Sequence, residues 1–312
     1  MAVVFIILGA VMVLHGAGKL TDGACALARR MGVPQIVVGL TVVALGTSMP
    51  EFFVSLVSAL KGTPDLAVGN VVGSNIFNTM LTVGMAAAVS PIVVSRSTVK
   101  KDIPFGIGAA VVFVLLCLDG DVSRLDGLIL FAGFILFMVY TLLMAGKGAA
   151  IDEETQGETS SSVSIFKSLL FVFIGLAELV IGGDIFVVGA TDAARYLGIG
   201  EGVIGLTIVA GGTSLPELAT TLVAARKKQA AIAIGNVIGS NVFNILMIAG
   251  VTSLISPLHI EGITMTDMSV MLFGAALLWF MSYTKYTVER WEGILLVALF
   301  TAYMTWLVYT LP

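Results

Sequence analysis

The sequence predicts an all-α membrane protein: ten transmembrane helices in two five-helix halves of inverted orientation. Composition, block length and an internal duplication carry that expectation. Of 312 residues, 58% are hydrophobic and only 12% charged, against about 25% charged in a soluble domain. No water-facing surface can be built from so few charges over this length. The apolar residues come in blocks near the ~20 that a helix needs to cross the hydrocarbon core. The short alternating segments of a β-barrel are absent. The bilayer is therefore the expected partner; no nucleic acid is expected, and the sequence names no protein partner.

The spans are expected near 2–20, 34–60, 66–89, 103–119, 125–145, 164–190, 201–225, 231–255, 268–283 and 291–310. The first lacks a basic stretch ahead of its apolar run, so it reads as a retained span rather than a cleaved signal. The longest connection, 146–163, is acidic and Ser-rich. It reads as a linker between an N-terminal half, 1–145, and a C-terminal half, 164–312. With ten spans, 13 of the 16 Lys and Arg residues fall on one side. The positive-inside rule makes that side cytoplasmic, with the linker there and both termini outside. Cys25, Cys117, His15 and His259 stand isolated and read as structural.

The duplication is the most informative feature. Residues 39–92 and 205–258 align without a gap at an offset of 166, with 26 of 54 positions identical. An odd number of spans, five, separates the copies, so they enter the membrane from opposite sides. Inverted repeats of this kind belong to transporters and place the substrate site near the midplane, where the repeats meet.

Each copy carries two polar segments: GTSMPE (46–51) with GNVVGSNIFN (69–78), and GTSLPE (212–217) with GNVIGSNVFN (235–244). Glu51 and Glu217 fall inside apolar spans, where a charge costs about 2.5–3.5 kcal/mol on insertion scales. No Lys or Arg lies in the neighbouring apolar segments, which leaves a bound cation or a proton as the partner. On a continuous helix, Thr47 and Ser48 share a face with Glu51, and Thr213 and Ser214 share one with Glu217. Pro50 and Pro216 are expected to kink the spans and free carbonyls near Gly46 and Gly212. Asn70, Ser74 and Asn78 form one stripe at four-residue spacing, as do Asn236, Ser240 and Asn244. Such a set of oxygens suits Ca²⁺, which takes 6–8 of them. Without His or Cys, Zn²⁺ and Cu⁺ are disfavoured. The intervening glycines read as helix-packing positions. Glu178, whose repeat-mate is Met12, reads either as facing a polar crevice or as part of a proton path.

At these two motifs the chain resembles the calcium/cation antiporter superfamily, in its prokaryotic sodium/calcium exchanger type. The ten-span layout extends the resemblance over nearly the whole sequence. It implies a central diamond of ion sites and alternating access, with the first and sixth helices sliding across the other eight. By motif, Glu51 and Glu217 would be the ligands shared by Ca²⁺ and Na⁺. Thr47, Ser48, Ser74, Asn78, Thr213, Ser214, Ser240 and Asn244 would complete the set, with the carbonyls of Ala44 and Ala210. The implied function is secondary active exchange of Ca²⁺ for Na⁺, with no enzymatic activity and no cofactor. A Ca²⁺/H⁺ exchanger on the same fold stays open as an alternative, and a cation channel as a more distant one. Some family members carry Asp at the position of Asn244, so K⁺ dependence is not expected here. The linker has no room for the regulatory domains of animal exchangers. The compact form and the basic bias point to a prokaryotic cytoplasmic membrane.

Overall fold

Apolar runs without interior glycine clusters or helix-breaking proline continue as long helices, and the chain changes direction where polar, Gly and Pro residues accumulate. The computed structural model describes residues 1–148, 164–198, 208 and 210–310. In order come α1 (Ala2–Met31), a broken pair α2 (Gln35–Thr47) and α3 (Met49–Leu60), and α4 (Pro64–Val89). Next are α5 (98–116), α6 (Arg124–Gly148) and α7 (Ile165–Tyr196). A second break separates α8 (Ala210–Thr213) from α9 (Leu215–Arg226). Last come α10 (Ala230–Ile255), α11 (Met265–Lys285) and α12 (Arg290–Thr310). Seven helices, or eight with the bent α2–α3 pair, are long and apolar enough to cross a membrane. This is a multi-pass integral membrane protein. Of the ten expected spans, the fourth is short, with 14 residues of α-helix in Ile103–Leu116. The seventh begins outside the described residues, as does most of the 146–163 linker.

Two span ends are corrected. The expected 2–20 and 164–190 are helices of 30 and 32 residues, about 45 and 48 Å long at 1.5 Å per residue. Lys19 lies inside α1 and donates to Glu178 Oε1 on α7 at 2.9 Å. His15 Nδ1 lies 2.8 Å from Glu178 Oε2. Glu178 is thus paired within the helix pair, and His15 is not isolated.

Small residues let α1 and α7 touch backbone to backbone. Gly9, Gly16 and Gly23 on α1, and Gly175, Gly182 and Gly189 on α7, each recur every seven residues. A Cβ on Gly16 would sit 2.7 Å from the Gly175 carbonyl oxygen, and one on Gly175 2.6 Å from Leu20 N. Only glycine allows that approach. The same device joins α2 to α10, where Gly39 and Gly235 face each other.

Two antiparallel ladders tie loops together: β1 (Ile92–Val93) to β4 (Thr287–Val288), and β2 (Asp121–Val122) to β3 (Leu258–His259). Each joins two loops that the ten-span reading puts on one side of the membrane. At the second ladder, the His259 ring hydrogen-bonds Asp121, whose carboxylate raises the imidazole pKa above its ordinary 6.5. At the first, Arg96 stacks over the Tyr286 ring at 5.2 Å. The buried core runs along α4 and α10, the most enclosed of the long helices.

Candidate ion-binding site

The two GTSxPE segments fold as helix breaks rather than as kinks. Ser48 leaves the helical region at φ −85°, ψ 5°, and Ser214 does the same at φ −89°, ψ 5°. The α2 and α3 axes differ by 46°. Pro50 and Pro216 then sit in the first turn of α3 and α9, where a missing N–H breaks no hydrogen bond. The expected bend is present at the first break, and each proline starts a new helix rather than interrupting a continuous one. Glu51 and Glu217 fall in those first turns, where unpaired N–H groups and the helix dipole favour a carboxylate.

The breaks also re-aim the serines. Ser48 was expected on the face of its own Glu51, but its Oγ donates to Glu217 Oε1 at 2.8 Å. Ser214 Oγ donates to Glu51 Oε1 at 3.0 Å and lies 3.2 Å from Ser74 Oγ. Ser240 Oγ donates to Glu217 Oε1 at 3.3 Å and lies 3.5 Å from Thr47 Oγ1. Thr213 engages Glu51 as well. Each glutamate is thus held by a serine from the other repeat.

The second motif is carried by α4 and α10, each of which widens into a π-helix: Phe77–Thr82 and Phe243–Ala249. Asn78 and Asn244 are the second residues of these segments, and both are fully buried. A third π-segment, Gly39–Val43, precedes the first break, and a fourth, Thr98–Asp102, opens α5. Such bulges are frequent at functional sites, and no periodicity in the sequence announces them. The first members of each stripe, Asn70 and Asn236, hydrogen-bond the Glu51 and Glu217 backbone carbonyls through their amide nitrogens. Asn236 and its stripe-mate Ser240 both contact Thr47.

Glu51, Glu217, Thr47, Ser48, Ser74, Asn78, Ser214, Ser240 and Asn244 are all buried, and Thr213 is half-buried. No ion pair among the described residues involves either glutamate. Among the described residues, one oxygen of each carboxylate is hydrogen-bonded and the other, Oε2, has no partner; both amide atoms of Asn78 and of Asn244 are also unpartnered there. A buried polar group left unmade costs about 1–3 kcal/mol, more when charged. The unmet carboxylate and amide oxygens of Glu51, Glu217, Asn78 and Asn244 are what a cation would satisfy. They are hard oxygen ligands, suited to Ca²⁺ or Na⁺.

The model of the sodium/calcium exchanger protein family matches residues 1–143 and 167–309. The chain belongs to that family. Among relatives of this exchanger, it is 35% identical over 310 residues to a putative antiporter, CaxA, of Alkalimonas amylolytica, with 97% of each chain covered. It is 30% identical over 348 residues to the sodium/calcium exchanger MaX1 of Methanosarcina acetivorans, again with 97% of each covered. Among solved structures, it matches the sodium-calcium exchanger NCX_Mj soaked with Na⁺ and Sr²⁺, with a TM-score of 0.85, 32% identity and 97% of each chain covered. The fold is that all-helical exchanger fold.

Proposed function

We propose that this exchanger is a secondary active antiporter that moves Ca²⁺ in exchange for Na⁺ by alternating access. The observation that carries the reading is the pair of buried carboxylates, Glu51 and Glu217: among the described residues, each has one oxygen held by a serine and one unpartnered, and neither is paired with a cationic side chain. The two glutamates are the principal ligands of both ions. Thr47, Ser48, Ser74 and Asn78 serve from one repeat, and Thr213, Ser214, Ser240 and Asn244 from the other. Because Ca²⁺ and Na⁺ use the same two carboxylates, they exclude each other, and exclusion couples their fluxes. A site holding two uncompensated charges resists re-exposure across the membrane, since moving buried charge without a partner is costly.

The architecture that goes with this function is ten helices in two inverted halves, 1–145 and 164–312, joined by a cytoplasmic linker at 146–163, with both termini outside. Placement in a prokaryotic cytoplasmic membrane follows from the basic-residue bias and from archaeal and bacterial relatives of nearly full length.

The test is ⁴⁵Ca²⁺ uptake into proteoliposomes loaded with Na⁺, with K⁺, or with acid. Uptake that requires internal Na⁺ is expected, and it should fall to background in Glu51→Gln and in Glu217→Gln. Uptake driven by a proton gradient without Na⁺ would make the protein a Ca²⁺/H⁺ exchanger. Full exchange in both glutamine variants would overturn the site.

A further inference from the structure

Asn70 and Asn236 are buried or half-buried polar residues of the duplicated motif that the ion site leaves unused. They are repeat-mates, 166 residues apart. Their side chains do the same thing in both copies. Asn70 Nδ2 donates to the Glu51 carbonyl at 3.0 Å and to Ser55 Oγ at 2.9 Å. Asn236 Nδ2 donates to the Glu217 carbonyl at 3.4 Å and to Thr221 Oγ1 at 3.1 Å.

An amide nitrogen carries two N–H groups, and each asparagine spends one on the glutamate's own carbonyl and one on a hydroxyl four residues further along. Residues four apart lie one above the other on one helix face. The pair of bonds therefore grips a full turn of α3, or of α9, and fixes its rotation about its own axis. That rotation sets where the glutamate side chain points. Ser55 and Thr221 are fully buried, so the hydroxyl arm has no water to compete with it.

We infer that Asn70 and Asn236 are positioning residues, amide clamps that aim the two glutamates at the ion without touching it. The inference rests on the proposed roles of Glu51 and Glu217. The two clamps are not equal. Asn236 Oδ1 also accepts from Thr47 Oγ1 at 3.1 Å. Thr47 is the residue just before the break that leads to Glu51. Asn236 thus holds Glu217 through its nitrogen and the other repeat's break through its oxygen, and it couples the two halves of the site.

A clamp and a ligand differ in what their loss does. Ca²⁺ and Na⁺ share the glutamates, so a misaimed glutamate weakens both. A lost ligand that serves one ion weakens that ion most, and the doubles on each arm separate a clamp from a ligand shared by both ions. The experiment measures Na⁺-dependent ⁴⁵Ca²⁺ uptake by the full chain in proteoliposomes, with separate apparent KM values for Ca²⁺ and for Na⁺. Variants are Asn70→Ala, Asn236→Ala, the milder Ser55→Ala and Thr221→Val, and the doubles on each arm, with thermal unfolding as a check on folding. Each asparagine variant should raise both apparent KM values in parallel by about tenfold, the effect of losing two buried hydrogen bonds, with Asn236→Ala the more severe. Ser55→Ala should move both in the same direction by less, and Asn70→Ala with Ser55→Ala should be no worse than Asn70→Ala alone. A shift confined to one ion would make the asparagine a ligand and overturn the clamp. So would additive doubles, or a lowered Tm with both KM values unchanged. If instead Glu51→Gln and Glu217→Gln exchange normally in the same assay, the underlying site assignment has failed, a result separate from failure of the clamp.

Discussion

At the scale of single residues, what organises the site is an exchange of partners. Glu217 is held by Ser48, and Glu51 by Ser214, so each carboxylate depends on the repeat to which it does not belong. A hydrogen bond to a charged group contributes about 1.5–3 kcal/mol, and the partners in such a bond should show coupling rather than additivity. A double-mutant cycle on thermal unfolding in Ca²⁺-free detergent checks this. Ser48→Ala with Glu217→Gln should couple by about 1 kcal/mol or more. Ser48→Ala with Glu51→Gln should add. The reverse pattern would mean that each serine serves its own glutamate. That second pattern is what spacing alone predicts, because Ser48 and Glu51 are three residues apart. The glutamates were legible in the sequence, since a carboxylate in an apolar span has few explanations. Their partners were not, because a backbone turn at one residue, ψ near 5° at Ser48, redirects everything after it.

The same division holds for elements. Where a helix runs on undisturbed, periodicity and length locate it: α10 and α12 begin and end within a residue of expectation. Expectation fell short for α1 and α7, whose helices run past the expected ends at 20 and 190 to Met31 and Tyr196. It failed again for the π-segments, which add one residue to a turn without changing the composition of the stretch. The glycines tell the two kinds of position apart. Gly16 and Gly175 abut the opposing backbone, while nothing lies within 4 Å of a Cβ on Gly183, on the same helix. Gly16→Ala or Gly175→Ala should therefore destabilise the protein by about 1–3 kcal/mol, the usual cost of overpacking. Gly183→Ala should be neutral or slightly stabilising, as expected for removing an interior helix glycine. Thermal unfolding of the three variants in detergent decides it. Equal effects at all three positions would mean that the close approach of α1 and α7 is not maintained.

Over the whole molecule, these contacts divide the chain into parts bound with different strength. The helix α1 meets α7 along most of its length, through interlocked glycine backbones and the partly buried Lys19–Glu178 pair. Its polar hold on α9 is of another kind: Lys227 Nζ reaches Asp22 Oδ1 at 2.6 Å and the Gly18 carbonyl at 3.1 Å. Both side chains of that pair are exposed, and such pairs are worth about 0–1 kcal/mol. A tight seam on one side and a weak latch on the other is what two helices need in order to move as one body over the rest. Alternating access by that motion predicts an asymmetry in cross-linking. With Cys25 and Cys117 replaced by Ala, a bifunctional thiol reagent joining cysteines introduced at Asp22 and Lys227 should arrest exchange. The same reagent joining cysteines at His15 and Glu178, within the α1–α7 pair, should leave exchange running. Ca²⁺-induced thermal stabilisation, retained in both cross-linked forms, separates arrest of motion from loss of the site. Full-rate exchange with α1 fixed to α9 would show that the two never part during transport. The moving body would then have to be drawn elsewhere, with α9 and its Glu217 travelling alongside α1 rather than standing still as it passes.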